Sequence, residues 1–156
     1  MGHFDETTCN CCVCPMQCIL EQLVGEENIT IFLLSAVTNQ GTIIAVDNFI
    51  AFFDDGSIVN KIPIHKICVV QIVGDFDFKL KPIRKNIGEC SCVEDPATNI
   101  AQSMIGEETP LLAGSFFRDV TIKDVGEGIV IGTEEGEFMS TVAISSCKIE
   151  NFGGVD

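Results

Sequence analysis

The sequence predicts a mainly β protein built as two tandem small β-barrels, each preceded by a short α-helix. Three observations carry that expectation. The chain is written twice: Cys9-Asn10-Cys11 stands before Pro15 as Cys90-Ser91-Cys92 stands before Pro96. The stretch after each proline ends at Gly25 or Gly106, and two glutamates follow each glycine. Further on, Asp54-Asp55-Gly56 answers Glu134-Glu135-Gly136, and Ile62-Pro63-Ile64 answers Val142-Ala143-Ile144, the offset falling from 81 to 80 residues. Second, the residues after each proline have a helical apolar period. Third, the remainder of each copy alternates with period two between turn signals.

The repeat divides the 156 residues into a Cys-rich arm (1–14), a first repeat (15–75), a linker holding the second Cys-x-Cys (76–94) and a second repeat (95–156). A module of this size buries only about 60% of its unfolded surface and is marginal alone. It needs a staple or a neighbour, and the cysteines and the second copy supply both.

Taken in order, Pro15 suits the first helical position, and Met16, Ile19, Leu20, Leu23 and Val24 form one helix face. Gly25 ends that helix. In the second copy Asp95 is the expected N-cap, with Pro96 next. Ala97, Ile100, Ala101, Met104 and Ile105 are its apolar face. Strands are expected over Ile29–Ser35, from Thr42 to Val46 and over Phe49–Phe53. Asp54-Asp55-Gly56 is a hairpin turn, and the strand beyond it alternates from Ile58 to His65. Pro63 cannot donate to a ladder, so that strand should be an edge or be broken there. Ile67–Val73 is the last strand. The second copy is expected to repeat these strands over Phe116–Lys123, Gly128–Gly132, Glu137–Ile144 and Cys147–Phe152. Residues Phe76 to Leu80 also alternate and suggest one more strand.

A helix followed by about five strands, with the phrase Gly41-Thr42-Ile43-Ile44-Ala45-Val46-Asp47-Asn48-Phe49-Ile50, is similar to Sm-like barrels. Continued to Ile62-Pro63-Ile64-His65-Lys66-Ile67, the phrase resembles the repeats of the B-type spore coat proteins of Bacillus. The likeness covers most of residues 15–74 and 96–154. The chain lacks the long Ser/Lys-rich tail of those proteins and adds Cys-rich arms. The arms look like those of other spore-surface and appendage subunits, whose N-terminal cysteines crosslink neighbours. The resemblance implies a self-assembling structural protein of the spore coat, exosporium or an appendage. It implies synthesis in the mother-cell cytoplasm without a signal peptide, and as partners other copies and other spore-surface proteins.

Charge and motifs narrow the classes independently. A formal net charge of −14 opposes nucleic acid, whose phosphates need Lys and Arg; this disfavours an RNA-binding Sm-like module. It equally opposes anionic membranes. Residues 1–14 lack the basic start and apolar stretch of a signal peptide. Lys79, Lys81, Arg84 and Lys85 cluster between the copies, either as a solvated linker or as a dock for an acidic face of another copy. No P-loop, dinucleotide glycine pattern, HExxH or GxSxG occurs, so no enzyme and no cofactor is expected. His3 lies in the polar arm. His65 has no catalytic partner at a known spacing, and Ser145 stands in its place in the second copy. The pairs Asp54-Asp55 and Glu134-Glu135 carry the oxygen ligands Ca²⁺ prefers, but acids at hairpin turns are commonly just solvated.

Cysteine chemistry is the strongest functional signal. Nine cysteines in a protein made in a reducing cytosol imply later exposure to oxidation. Residues two apart in an extended chain lie about 6.5 Å from each other, near the upper limit for a disulfide. Cys9, Cys11, Cys12 and Cys14 should therefore seek distant partners. Since nine is odd, one thiol at least stays free or joins another chain. The crosslinking set is Cys9, Cys11, Cys12, Cys14, Cys18, Cys90 and Cys92. The alternative is a tetrahedral metal held by Cys9, Cys11, Cys14 and Cys18, although C-x-C-C-x-C is not the paired spacing of zinc ribbons. Cys68 and Cys147 read as small buried apolar residues on strands.

Overall fold

The computed structural model of the chain describes residues 13–83, 91–136 and 138–153, the side chains of 91–94 excepted. Helix α1 (Val13–Gln22) leads to β1 (Ile29–Leu33), β2 (Thr42–Asp47), β3 (Ile50–Asp54) and β4 (Val59–Pro63). A 3-10 turn (Ile64–Lys66) then leads to β5 (Ile67–Val73). The same order returns as α2 (Ser91–Ser103), β6 (Glu108–Ala113), β7 (Phe116–Gly126), β8 (Ile129–Glu134) and β9 (Ser140–Ser145). A second 3-10 turn (Ser146–Lys148) precedes β10 (Ile149–Phe152).

Both helices begin earlier than their prolines suggest. Pro15 falls in the first turn of α1, where its missing N–H had no intrahelical acceptor anyway. Pro96 lies inside α2, so Asp95 is a helical residue and not the cap. The proline removes one backbone hydrogen bond. Buried Ala97, Thr98 and Ala101 hold the helix on β7, β8 and the second 3-10 turn.

Small details recur with the elements. Leu23 N–H donates to Leu20 and Gly25 N–H to Ile43; Met104 N–H donates to Ala101 and Gly106 N–H to Ile122. The β2–β3 ladder slips between Ile43 and Ala45, and the β7–β8 ladder between Ile122 and Asp124. Ile64 N–H bonds Phe49, as Ser146 N–H bonds Gly128. These matches correct the register of the repeat. Ile50 pairs Pro63 where Ile129 pairs Ser145, so Pro63 is the counterpart of Ser145, and Val59 that of Thr141. The connection from β8 to β9 is longer than that from β3 to β4, which shifts the turn acids out of alignment.

One strand was not expected, β6, and it contains Pro110. Its placement shows why proline is tolerated. The Pro110 carbonyl accepts from Gly153 N–H at 2.7 Å, on the side facing β10. The missing N–H points to the same side, and the β10 ladder ends at the Leu111–Phe152 pair. Conversely, residues 76–80 form no strand. Phe76 N–H donates to Thr141 Oγ1 at 3.1 Å, and the Lys79 backbone exchanges two bonds with the Gln22 amide, 2.8 and 2.9 Å. Side chains satisfy this strap, so it needs no neighbouring strand.

The protein is mainly β, with a seven-stranded sheet ordered β1-β5-β9-β8-β7-β6-β10 and a three-stranded sheet β2-β3-β4. Reciprocal bonds between Ile29 and Gly41 join β1 to the smaller sheet. The two tandem barrels expected from the sequence are not closed. To close each half on itself, β5 would pair with β4 and β10 with β9. Instead β5 takes β9, antiparallel, from Val69–Ile144 to Val73–Ser140. β4 is left as an edge, as Pro63 requires, and β10 is the other edge.

Two cores lie on opposite sides of this seam, and each is completed by the other half. The first gathers Met16, Ile19, Leu20, Leu23, Phe53 and Val70 with Ile129, Ile131 and Ala143 of the second half. The second gathers Leu111, Phe116, Val120, Val142 and Ile144 with Phe32, Cys68 and Val69 of the first.

At Gly41 a Cβ would run into the Asp54 backbone carbonyl, whereas at Gly25 (φ +87°) it would meet nothing. Gly41→Ala is therefore expected to cost more than Gly25→Ala, which bears only the left-handed penalty of about 1–2 kcal/mol. Chemical denaturation of both variants checks the order; an equal or milder loss at Gly41 would contradict it.

Candidate functional site

The structure places the sequence-predicted cysteines in three groups. Cys9, Cys11, Cys12 and Cys90 lie outside the described residues, as does the Cys92 side chain. Cys14 is fully buried on α1 and disulfide-bonded. Cys18 is a thiol on the same helix, 7% exposed. A buried sulfur does not reach a neighbouring chain without local unfolding. Of the two cysteines expected as buried apolar residues, Cys68 is fully buried in β5 as a thiol. Cys147 sits half-buried in the second 3-10 turn, not on a strand, and is disulfide-bonded.

Other candidates acquire structural roles. Asp55 Oδ1 accepts from Ser57 and Ile58 N–H, at 2.9 and 3.0 Å, and its Oδ2 accepts from Asn60 Nδ2 at 3.1 Å. Asp54 Oδ1 accepts from Gly56 N–H at 2.9 Å. The backbone bonds and the Asn60 amide hold the Asp55 carboxyl below its usual range. These acids fasten the β3–β4 turn. His65 is exposed in the first 3-10 turn beside Lys66. Lys79 pairs with Asp77 at 3.0 Å, and Arg84 and Lys85 lie outside the described residues. Among the described residues no group of three or more His, Cys, Asp or Glu is arranged to hold a metal. No described helix is long and apolar enough to cross a membrane.

The feature the sequence did not reveal is the seam between halves. Five pairs of β5 and β9 form its backbone ladder. On one side the strap covers β8 and β9: Phe76, Phe78 and Leu80 pack on the core that holds Ile129, Ile131 and Ala143. Thr141 Oγ1 donates to the Gly74 carbonyl at 2.8 Å, and Glu127 N–H donates to that of Lys81 at 2.9 Å. On the other side Phe32 meets Phe116 edge to face, centroids 5.0 Å apart, and the Arg118 guanidinium lies 5.2 Å from Phe32 and 5.8 Å from Phe116. Arg118 also approaches Glu134 Oε2 at 3.5 Å, and that oxygen accepts from Gln71 Nε2 at 2.7 Å. Ser115 closes the rim, its hydroxyl donating to the Ala36 carbonyl at 2.9 Å and its N–H to that of Leu33 at 3.1 Å. An acidic turn suggested by Glu134-Glu135 is thus, at Glu134, a seam residue.

β4 and β10 contrast with this seam. Among the described residues no strand pairs with their outer edges. β9, the counterpart of β4, is buried along its whole length, whereas Val59, Lys61 and Pro63 of β4 are exposed. Matched against family models, curated proteins and solved structures, the chain has no counterpart in any of the three.

Two titrations probe the seam. Burial pushes the Glu134 carboxyl above its usual range, and nearby Arg118 only partly offsets this. A raised folded value means the ionised form is penalised. Glu134 therefore supports the fold best below the carboxyl's unfolded value of about 4.3, and that support is lost as pH rises through the folded value. Thermal melts should place Glu134→Gln level with or above the wild type at pH about 7.5, the gap narrowing toward pH about 5. A Gln variant that loses ground as pH rises would contradict it.

Burial also pushes the Cys68 thiol up to about 11. Since the thiolate is the nucleophile, Cys68 should resist iodoacetamide at pH about 8 in the folded protein and react after denaturation. Labelling of the folded protein, read by peptide mass spectrometry, would refute this.

Proposed function

We propose that this protein is a non-enzymatic structural subunit that assembles with copies of itself, its chains tied by disulfides through the Cys-rich arms. We read each half as an opened Sm-like unit, and the protein as a component of the spore surface, in coat, exosporium or appendage. Its partners on this reading are other copies and other spore-surface proteins.

The observation that carries the reading is the unequal treatment of strand edges. The seam joins the last strand of one half to the fourth strand of the other. That leaves one fourth strand, β4, and one last strand, β10, as edges. Exposed edges template pairing with further chains, and a head-to-tail contact propagates as a ring or a filament. The cysteines support the second part. Among the seven proposed crosslinkers, Cys9, Cys11 and Cys12 stand just before α1 in the sequence, and Cys90 and Cys92 stand at the start of α2. A net charge of −14 makes neighbours repel, and a covalent tie answers that repulsion.

Non-reducing gels of oxidised protein should show a ladder that collapses with reductant. Replacing Cys9, Cys11 and Cys12 by Ser should shorten the ladder, whereas Cys68→Ser should leave it intact. A single monomer band with and without reductant would sink the proposal. Zinc bound stoichiometrically by purified, alkylation-resistant protein would move it to the metal-binding alternative.

A further inference from the structure

The seam supplies a template for the contact between chains. In α1, Ile19 is 1% exposed and belongs to the core that takes in Ile129, Ile131 and Ala143 across the seam. Its counterpart in α2 is Ile100, placed identically between the helix proline and the Gly25 or Gly106 stop. Ile100 is 45% exposed. The main contacts of the helices differ in the same sense: those of α1 include β9 across the seam, while those of α2 are with its own half's β7, β8 and 3-10 turn.

The surface that Ile100 lacks is also present, uncovered, at the other end of the chain. Ile129 and Ile131 of β8 correspond to Ile50 and Phe52 of β3, through the matched turns Asp47–Ile50 and Gly126–Ile129. Thr141 and Ala143 of β9 correspond to Val59 and Lys61 of β4. Ile129, Ile131, Thr141 and Ala143 are buried, whereas Ile50 and Phe52 are half-buried and Val59 is 45% exposed. The exposed face of α2 with the β10 edge, and the outer face of β3 with the β4 edge, are thus the two halves of one interface, held at opposite ends of a chain.

We propose that a second copy of this chain fills that gap, head to tail: α2 and β10 of one copy dock on β3 and β4 of the next. Ile100 packs against Ile50 and Phe52. The register follows from the seam: Val69 opposite Ile144 and Val70 opposite Ala143 become Asn151 opposite Ile62 and Phe152 opposite Lys61. This ladder stops one residue short of Pro63, so the missing N–H does not interrupt it. The contact is weaker than its template, because Asn151 replaces Val69 and Lys61 replaces Ala143 in it. This interface rests on the self-assembly reading above and specifies its surface.

A mixing experiment tests it by sedimentation velocity on reduced full-length protein. Ile100→Asp spoils the α2 face and leaves the β3–β4 face; Phe52→Asp does the reverse. Each variant alone should need about tenfold or more protein for half-assembly than the wild type. Mixed, they should form a one-to-one dimer and grow no further, since only one good face of each kind remains. Ile105→Asp is the control: Ile105 is 51% exposed in the turn after α2, and its counterpart Val24, in the turn after α1, stays 42% exposed although the first half is engaged in the seam. It should assemble like the wild type. Thermal melts establish that the variants are folded. If the wild type assembles and Ile100→Asp or Phe52→Asp assembles equally well, the interface is wrong while self-assembly stands. If the reduced wild type stays monomeric at every concentration, the interface falls; if the oxidised protein is monomeric too, the self-assembly reading falls with it.

Discussion

The pairing of β5 with β9 is the constraint on which the rest of the molecule depends. Antiparallel pairing satisfies the backbone of two strands that would otherwise be edges. It also places apolar side chains of each half in the other's core: Ile129, Ile131 and Ala143 in the first, Phe32, Cys68 and Val69 in the second. A unit of this size lacks the volume for a self-sufficient core. Borrowing a face from a neighbour is the remedy, and duplication within one gene product keeps that neighbour always present.

The same pairing dictates what is left over. Because the seam uses the last strand of the first half and the fourth strand of the second, the unused strands are of complementary kind. A self-complementary junction would have closed the molecule on its two-fold axis. A junction of unlike surfaces does not close between two halves, and the chain ends as it began, with one surface of each kind. Charge then limits how strongly these surfaces attract, with 23 acidic residues against nine basic. On the proposed reading, disulfides through the arms would offset that limit, because a tethered neighbour binds at high effective concentration.

Much of this order was legible in the sequence. Helix faces, the Gly25 and Gly106 stops and most strands follow from apolar period and turn residues, which are local properties. Pro63 marked an edge strand correctly, because a missing N–H is a local fact as well. That β6 accommodates Pro110 is not a local fact: it depends on where β10 ends, which sequence alone does not show. The strap at residues 76–80 alternates like a strand, yet Gln22 and Thr141 satisfy its backbone from elsewhere in the chain. The seam itself was illegible. The equivalence of Ile19 with Ile100 could be read, but not that one is buried and the other exposed. Nothing in the crosslinking set showed that Cys14 and Cys18 would be buried, because their burial follows from the packing of α1.

Amide exchange of the intact chain, compared between dilute and concentrated solution, addresses the central claim most directly, since protection reports which backbone groups are paired. The account predicts that β5 and β9 are protected at both concentrations, while β4 and β10 gain protection together as concentration rises. Exchange of β5 and β9 as fast as that of the loops, or an assembly that forms with β4 and β10 unchanged, would contradict it.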